Sequence, residues 1–195
     1  MELTKRQLDI VTAAIKIIAR RGYQDLTTKN LAAELQLTEA ALYRHFTNKN
    51  DLIRNILDYF QSISCEVLEQ TQTMCLEPLE KVKLFVNNRY QMFMRQPDLA
   101  QVMFSEEIFR HDPGFVDQMQ SIMHIHRDAV CSYLREAQSQ GRIAAGLDTV
   151  QIFRLIVGSM RLLVTQWTFA GQAFDLEAEG TKLLDTIIEL IEDKP

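Results

Sequence analysis

Thr27-Thr28-Lys29-Asn30-Leu31-Ala32-Ala33-Glu34-Leu35-Gln36-Leu37-Thr38-Glu39-Ala40-Ala41-Leu42-Tyr43-Arg44-His45-Phe46-Thr47-Asn48-Lys49 is the stretch that decides the fold. Leu31, Ala32 and Leu35 recur at helical spacing behind a hydroxyl start. After Gln36 and Leu37, Thr38 is an N-cap candidate for a second short helix, in which Ala41, Leu42 and Phe46 share an inward side. Glu39, Ala40, Tyr43 and Arg44 are left on the opposite side, toward solvent or a partner. Two short helices joined by a tight turn, apolar within and polar at the exposed end of the second, make a helix-turn-helix layout.

Working outward, Thr4 and Gln7 predict a capping box. The helix behind them buries Ile10, Val11, Ala14, Ile17 and Ile18 and ends at Gly22, with Tyr23 and Leu26 bridging to the next start. On the other side, Asn48 and Asp51 predict a second capping arrangement that opens a long helix from about Lys49 toward Thr73. Pro78, Pro97 and Asp112-Pro113-Gly114 each mark a boundary, because proline fits a first helical turn but not a helix interior. Helices are predicted at roughly 78–95, 98–110 and 114–140, with Gly141 as a C-cap. Two more run from Asp148 to about Ala170, stopped by Gly171, and from Asp175 to about Glu192. No alternating strand pattern and no internal repeat competes. The expected fold is all-α with about nine helices: a three-helix head over 1–48 and a helical body over 49–195.

With 47% hydrophobic and 24% charged residues, the 195-residue chain has ample apolar surface for a core. Its formal net charge of −5 is unevenly spread. Residues 1–54 hold nine Lys/Arg against six Asp/Glu, whereas the remainder holds twelve against twenty. Basic charge is therefore local to the head, as phosphate binding requires, and the acidic body repels nucleic acid. No apolar run reaches the roughly 18 residues of a membrane span, and Met1-Glu2-Leu3-Thr4-Lys5-Arg6-Gln7 lacks a signal-peptide layout. Cys65, Cys75 and Cys131 have no CxxC spacing, which predicts reduced, mostly buried thiols in a cytoplasmic protein.

From Ile10 to Leu52 the chain resembles the DNA-binding domain of the TetR family of bacterial transcription regulators. The resemblance is carried by Gly22-Tyr23, by Thr28-Lys29-Asn30-Leu31-Ala32-Ala33-Glu34-Leu35, and by Leu37-Thr38-Glu39-Ala40-Ala41-Leu42-Tyr43-Arg44-His45-Phe46 with Lys49 and Leu52. It implies a double-stranded DNA operator as partner. Thr38, Glu39, Ala40 and Tyr43 are expected at the major groove, and Thr27, Thr28, Lys29, Arg44, His45 and Lys49 at the backbone. Plainer roles stand beside these: Tyr43 as a packing residue, Thr28 as a cap, His45 as support for the turn, Lys49 as a solvated charge. Many family members carry Gly at the position of Ala40 and a small or basic residue at that of Glu39. Glu39 cannot bind phosphate, but it can accept from a cytosine amino group.

One such head discriminates poorly, so the resemblance also implies a homodimer, paired through the last two helices as a four-helix bundle. Ile152, Phe153, Ile156, Met160 and Leu163, with Leu183, Leu184, Ile187, Ile188 and Ile191, are the expected interface, and Gly158 and Gly180 permit close helix approach. The alternative is that these stripes fill the chain's own core. The resemblance further implies a small-molecule effector, for which Phe85, Arg89, Phe93, Met103, Phe104, Phe109, Met119, Met123 and Trp167 are the candidate pocket residues. Aromatic and methionine side chains make adaptable apolar walls, but at helical spacing plain core is their commoner role. Arg89 or Arg127, if inward-facing, suits an acidic ligand; a surface salt bridge is the plainer role for each. His111, His124 and His126 near Glu106, Glu107 and Asp112 raise a metal site, but His124 and His126 point about 200° apart on one helix. No metal, cofactor or membrane partner is expected. The reading is a homodimeric transcription repressor released from a palindromic operator by a small apolar or amphipathic ligand, with an effector-independent architectural or constitutive DNA binder as the alternative. An all-α enzyme or carrier stands last, because no nucleophile–base pair or phosphate loop is visible.

Overall fold

The computed structural model of the chain describes residues 3–109 and 112–192. Ten α-helices lie among them: α1 Lys5–Arg21, α2 Thr28–Leu35, α3 Glu39–Leu42, α4 Lys49–Thr73, α5 Pro78–Arg95, α6 Pro97–Met103, α7 Glu106–Phe109, α8 Pro113–Ser139, α9 Thr149–Phe169 and α10 Leu176–Ile191. A 3-10 turn, Tyr23–Asp25, joins α1 to α2. There is no strand among the described residues, only an isolated bridge between Ile143 and Glu192. The fold is all-α, with a helix-turn-helix toward the N-terminus and a helical C-terminal region.

The helix starts follow from local hydrogen bonding. At α1 the Gln7 backbone N–H donates to Thr4 Oγ1 at 3.3 Å while Gln7 Oε1 accepts from the Thr4 N–H at 3.0 Å, closing the capping box. Thr38, Asp148 and Asp175 cap α3, α9 and α10 through their side-chain oxygens. At α4, Asn48 Oδ1 accepts from the Asp51 N–H at 2.8 Å, and Asp51 Oδ2 accepts from the Thr47 N–H at 2.9 Å. The predicted single helix over 98–110 is two, α6 and α7, which brings the total to ten rather than nine. Ser105 N–H reaches back only three residues, to the Val102 carbonyl at 3.2 Å, so the α-helical ladder ends there. A serine immediately before an acidic residue favours a fresh helix start.

Two compact units divide the chain. The first takes in the chain up to Ser64 together with Asp98–Ile122. Here α1 packs on the 3-10 turn and α2, and α2 on α3. Its core includes Ile10, Val11, Ala14, Ile17 and Ile18 of α1, with Leu31, Leu42, Phe46, Leu52, Ile53 and Ile56 buried as well. Gly22 ends α1 at φ +90°, a backbone value that a side chain would resist, and so lets the chain turn toward Tyr23.

The second unit holds Cys65–Pro97 and the chain from Met123 onward. Within it α10 packs on both α5 and α9. Val82, Phe85, Val86, Tyr90 and Phe93 of α5, Ile152, Phe153, Ile156, Met160 and Val164 of α9, and Leu184, Ile187, Ile188 and Ile191 of α10 are buried. The Lys83–Asp185 ion pair at 3.1 Å and the bond from Gln91 Nε2 to Glu177 Oε1 at 2.8 Å fix α10 against α5. Cys131 is buried, Cys65 is half-buried and Cys75 is exposed, all three as free thiols. The expectation of mostly buried thiols thus fails at Cys75, which lies beyond the end of α4, outside any packed helix face. No helix among the described residues is long and apolar enough to cross a membrane.

Candidate functional site

Several of the polar candidates meet in the first unit, Thr27, Thr28, Tyr43 and Lys49 around one crevice and Thr28 with Glu39. Thr27 is the N-cap of α2, its hydroxyl oxygen accepting from the Asn30 N–H at 3.1 Å. Thr28, the first residue of α2, donates its hydroxyl hydrogen to Glu39 Oε2 at 2.6 Å. Thr38 caps α3 by accepting from the Ala41 N–H at 3.2 Å. Lys29, Glu39, Ala40 and Arg44 are exposed, and His45 is half-buried. Tyr43 is 54% exposed, although Leu42 and Phe46 on either side of it are buried. A small crevice is lined in part by Thr27, Thr28, Tyr43, Asn48 and Lys49, over a floor that includes Leu31, Leu42 and Leu52.

Lys49 is held more tightly than a solvated charge. Its Nζ donates to the Tyr23 carbonyl at 2.7 Å and lies 3.6 Å from the centroid of the Tyr23 ring. Burial draws its pKa below the ordinary lysine value, with Glu107 pulling the other way. An ammonium has three hydrogens, so the Tyr23 bond leaves donors for a further acceptor. In sequence Tyr23 bridges α1 to α2 and belongs to the family pattern, and its 26-residue separation from Lys49 hides this pairing. The Tyr23 phenol is itself raised, by burial and then by Asp112. Asp112 also accepts from Asn50 Nδ2 at 2.9 Å and pairs with Arg54 at 3.4 Å.

The nine candidate pocket residues fall in both units. Met103, Phe104, Phe109 and Met119 belong to the first; Phe85, Arg89, Phe93, Met123 and Trp167 belong to the second. Phe85, Arg89 and Phe93 are each only 1% exposed, whereas Met123 is 44% exposed. Trp167 is buried and donates its indole N–H to the Phe174 carbonyl at 3.0 Å, bracing the α9–α10 turn. Arg89 faces inward, its guanidinium 5.2 Å from the Phe85 ring centroid. Arg127 instead pairs with Asp128 at 2.9 Å. Burial pushes the Arg89 pKa down to about 10, against a contrary pull from Cys65, so the group stays cationic at neutral pH. His126 meets Phe85 edge-on with ring centroids 5.4 Å apart, and burial followed by the Arg89 charge pushes its pKa down to about 3. In sequence His126 prompts only a metal possibility that its two-residue spacing from His124 argues against. Its place beside Phe85 and Arg89 is set by tertiary packing, which left no local signal. His124 is exposed, and His111 lies outside the described residues, as does the side chain of Glu106. No cluster able to hold a metal ion occurs among the described residues.

The expected interface residues divide by face. Ile152, Phe153, Ile156, Met160, Leu184, Ile187, Ile188 and Ile191 are all buried within the chain's own core, and Leu163 and Leu183 are half-exposed. The exposed apolar residues of these helices are others: Leu155, Leu162, Phe169 and Leu190. Gly180 is spent within the chain, because α10 approaches the Tyr90 ring there, while nothing stands within 4 Å of the position a Cβ would take at Gly158.

Comparison with known proteins agrees with this architecture. Residues 10–56 match the sequence family described as bacterial regulatory proteins of the tetR family. Residues 58–191 match the family described as the C-terminal region of YsiA-like proteins. The chain belongs to the TetR family of bacterial transcription regulators. It is 22% identical to the fatty acid metabolism regulator protein of Bacillus subtilis (strain 168), over 97% of each chain. It is 24% identical to the "Probable acrEF/envCD operon repressor" of Escherichia coli (strain K12), over 97% of this chain and 88% of that one. Its fold is similar to that of the crystal structure of FadR from Bacillus subtilis in complex with stearoyl-CoA, with a TM-score of 0.78, 21% identity and coverage of 94% of this chain and 98% of that one.

Proposed function

We propose that this TetR-family regulator is a homodimeric repressor that grips a palindromic operator through the Thr27–Lys49 surface and lets go when an acidic amphiphile binds its C-terminal region. The observation that carries the DNA reading is the exposed surface around α3, where Tyr43, the residue after its last turn, is 54% exposed next to buried Leu42. Thr38, Glu39, Ala40 and Tyr43 on that face are the residues assigned to base edges. Thr27, Lys29, Arg44, His45 and Lys49 around it are assigned to positioning on the phosphates. The start of α2, with free N–H groups and a favourable dipole, adds an anion-binding end. Operator binding sets the protein beside the bacterial chromosome, in the cytoplasm.

The effector reading rests on Arg89. Its side chain is only 1% exposed and its guanidinium lies beside the Phe85 ring, so a cation and apolar wall stand together there. Neighbouring His126 stays neutral at physiological pH, so the positive charge there is that of Arg89 alone. Phe85 and Phe93 on the same helix offer apolar wall to a chain whose acidic end meets the guanidinium. The stearoyl-CoA held by the Bacillus subtilis FadR structure is a ligand of this chemical kind. Repression is relieved if the ligand prefers a state in which the two heads no longer match successive major grooves, since only differential affinity shifts an equilibrium.

The test is footprinting of the native operator with wild type and Arg89→Leu, with and without a long-chain acyl carboxylate or acyl-CoA. The expected result is palindromic protection that the amphiphile abolishes for wild type. The variant should protect equally but respond at least tenfold less. Protection that no amphiphile alters would leave an effector-independent DNA binder, and absence of specific protection would end the reading.

A further inference from the structure

One hydrogen bond joins the two helices that the turn separates. The Thr28 hydroxyl, on the first residue of α2, donates to Oε2 of Glu39, the first residue of α3, at 2.6 Å. That length is typical of a hydroxyl bound to a charged carboxylate. A hydroxyl has a single hydrogen to give. Committed to Glu39, it is not available to a phosphate, and a phosphate oxygen has no hydrogen for the hydroxyl's lone pairs. Thr27 is arranged the other way. Its oxygen accepts from the Asn30 N–H, and its own hydrogen remains for an outside acceptor.

The same bond steers the carboxylate. Glu39 is exposed on the face that also carries Thr38, Ala40 and Tyr43. With one lone pair of Oε2 engaged by Thr28, Oε1 is the wholly uncommitted oxygen for a base. A carboxylate accepts only, so it has no match with the acceptor edge of guanine or with thymine O4. Amino groups on cytosine and adenine remain, and the adenine amino group has the N7 acceptor beside it, which repels the second oxygen. Cytosine is the base that suits this geometry.

We propose that Thr28 is a positioning residue, holding Glu39 as the determinant that selects cytosine in each operator half-site, rather than a contact to the DNA backbone. The proposal rests on the operator-binding reading above. It is tested by selecting binders from randomised double-stranded DNA with the full chain and its Glu39→Ala, Glu39→Gln, Thr28→Val, Thr28→Ser and Thr28→Val/Glu39→Ala variants. Affinities are then measured on the winning sequence and its single-base changes.

The wild type should enrich a half-site with one cytosine whose replacement costs about tenfold. Glu39→Ala should lose preference at that position alone, and Glu39→Gln, able to donate and accept, should move it toward adenine. Thr28→Val should weaken the same preference several-fold, Thr28→Ser should restore it, and Thr28→Val should change nothing further once Glu39 is gone. The proposal is overturned if Thr28→Val weakens every sequence by one factor, with or without Glu39, because that marks a phosphate contact. It is overturned equally if Glu39→Ala and Glu39→Gln leave every base preference intact. Enrichment of a palindrome without this cytosine sinks the proposal but spares the operator reading. Enrichment of nothing sinks both.

Discussion

His126 illustrates how one buried ring ties stability to pH. It lies against Phe85 and near Arg89, and both burial and that charge oppose its protonation. Above about pH 6.5 the imidazole is neutral whether the chain is folded or not, and it contributes no pH dependence. Between about 6.5 and about 3 only the unfolded chain takes up the proton, so folding is penalised progressively as pH falls. At pH 5 the penalty is about 2 kcal/mol. Thermal unfolding from pH 7.5 down to 5 should therefore show a falling Tm for wild type and a visibly flatter profile for His126→Gln. Equal slopes for the two would mean that His126 titrates normally in the folded protein. None of this was legible in the sequence, where the spacing of His126 from His124 only argued against a shared metal ion. The Lys49–Tyr23 pair was hidden for the same reason, since side chains far apart in sequence meet only once the helices have packed.

Helix positions, by contrast, were legible almost throughout, because caps and breakers are local. Thr4 with Gln7, Thr38, Asp148 and Asp175 announce starts that the structure honours with side-chain bonds, and Gly141 and Gly171 mark stops at positive φ. The break between α6 and α7 escaped notice because Phe104 and Ser105 include neither Gly nor Pro. What a glycine inside a helix is for was also ambiguous. Gly180 and Gly158 read alike, yet an added Cβ at Gly180 would lie 2.1 Å from Tyr90 Cε2, and one at Gly158 would meet nothing. Tyr90 is 1% exposed and so has no room to swing away. Gly180→Ala should therefore destabilise by about 1–3 kcal/mol from overpacking, less the roughly 1 kcal/mol that alanine gains in a helix interior. Gly158→Ala has only the helical gain and should be neutral to slightly stabilising in the isolated chain. Denaturant titration of both variants checks the pair, and a Gly180→Ala midpoint at or above that of wild type would show that α5 and α10 are less closely packed than described.

For the whole molecule, the apolar faces of α9 and α10 pose the question of what covers them. Helical periodicity showed that both helices are apolar over much of their circumference but could not say which side the chain keeps for itself. The structure turns Ile156, Met160, Leu184 and Ile188 inward and leaves Leu155 at 49%, Leu162 at 60% and Leu190 at 74% exposure. Leu155, Gly158 and Leu162 recur at three- and four-residue steps along one side of α9. A groove lined by Leu162, Leu163 and Leu183, among others, runs between the two helices. A second copy of the same surface is the self-complementary partner that a two-fold dimer requires. The proposed dimer also answers the charge imbalance. One head offers a small basic excess against an acidic remainder, whereas two heads double the phosphate contacts and read two half-sites about 34–36 Å apart. Leu162→Glu with Leu190→Glu should therefore sediment as a monomer with unchanged helical content, since neither side chain supports the monomer core. Because linking two weak sites gains about 10²–10⁴ in avidity, operator affinity should fall by at least about 100-fold. Its dependence on salt should also become shallower, as half the phosphate contacts are lost. A variant that stays dimeric, or a monomer that keeps wild-type operator affinity, would move the interface elsewhere on the chain.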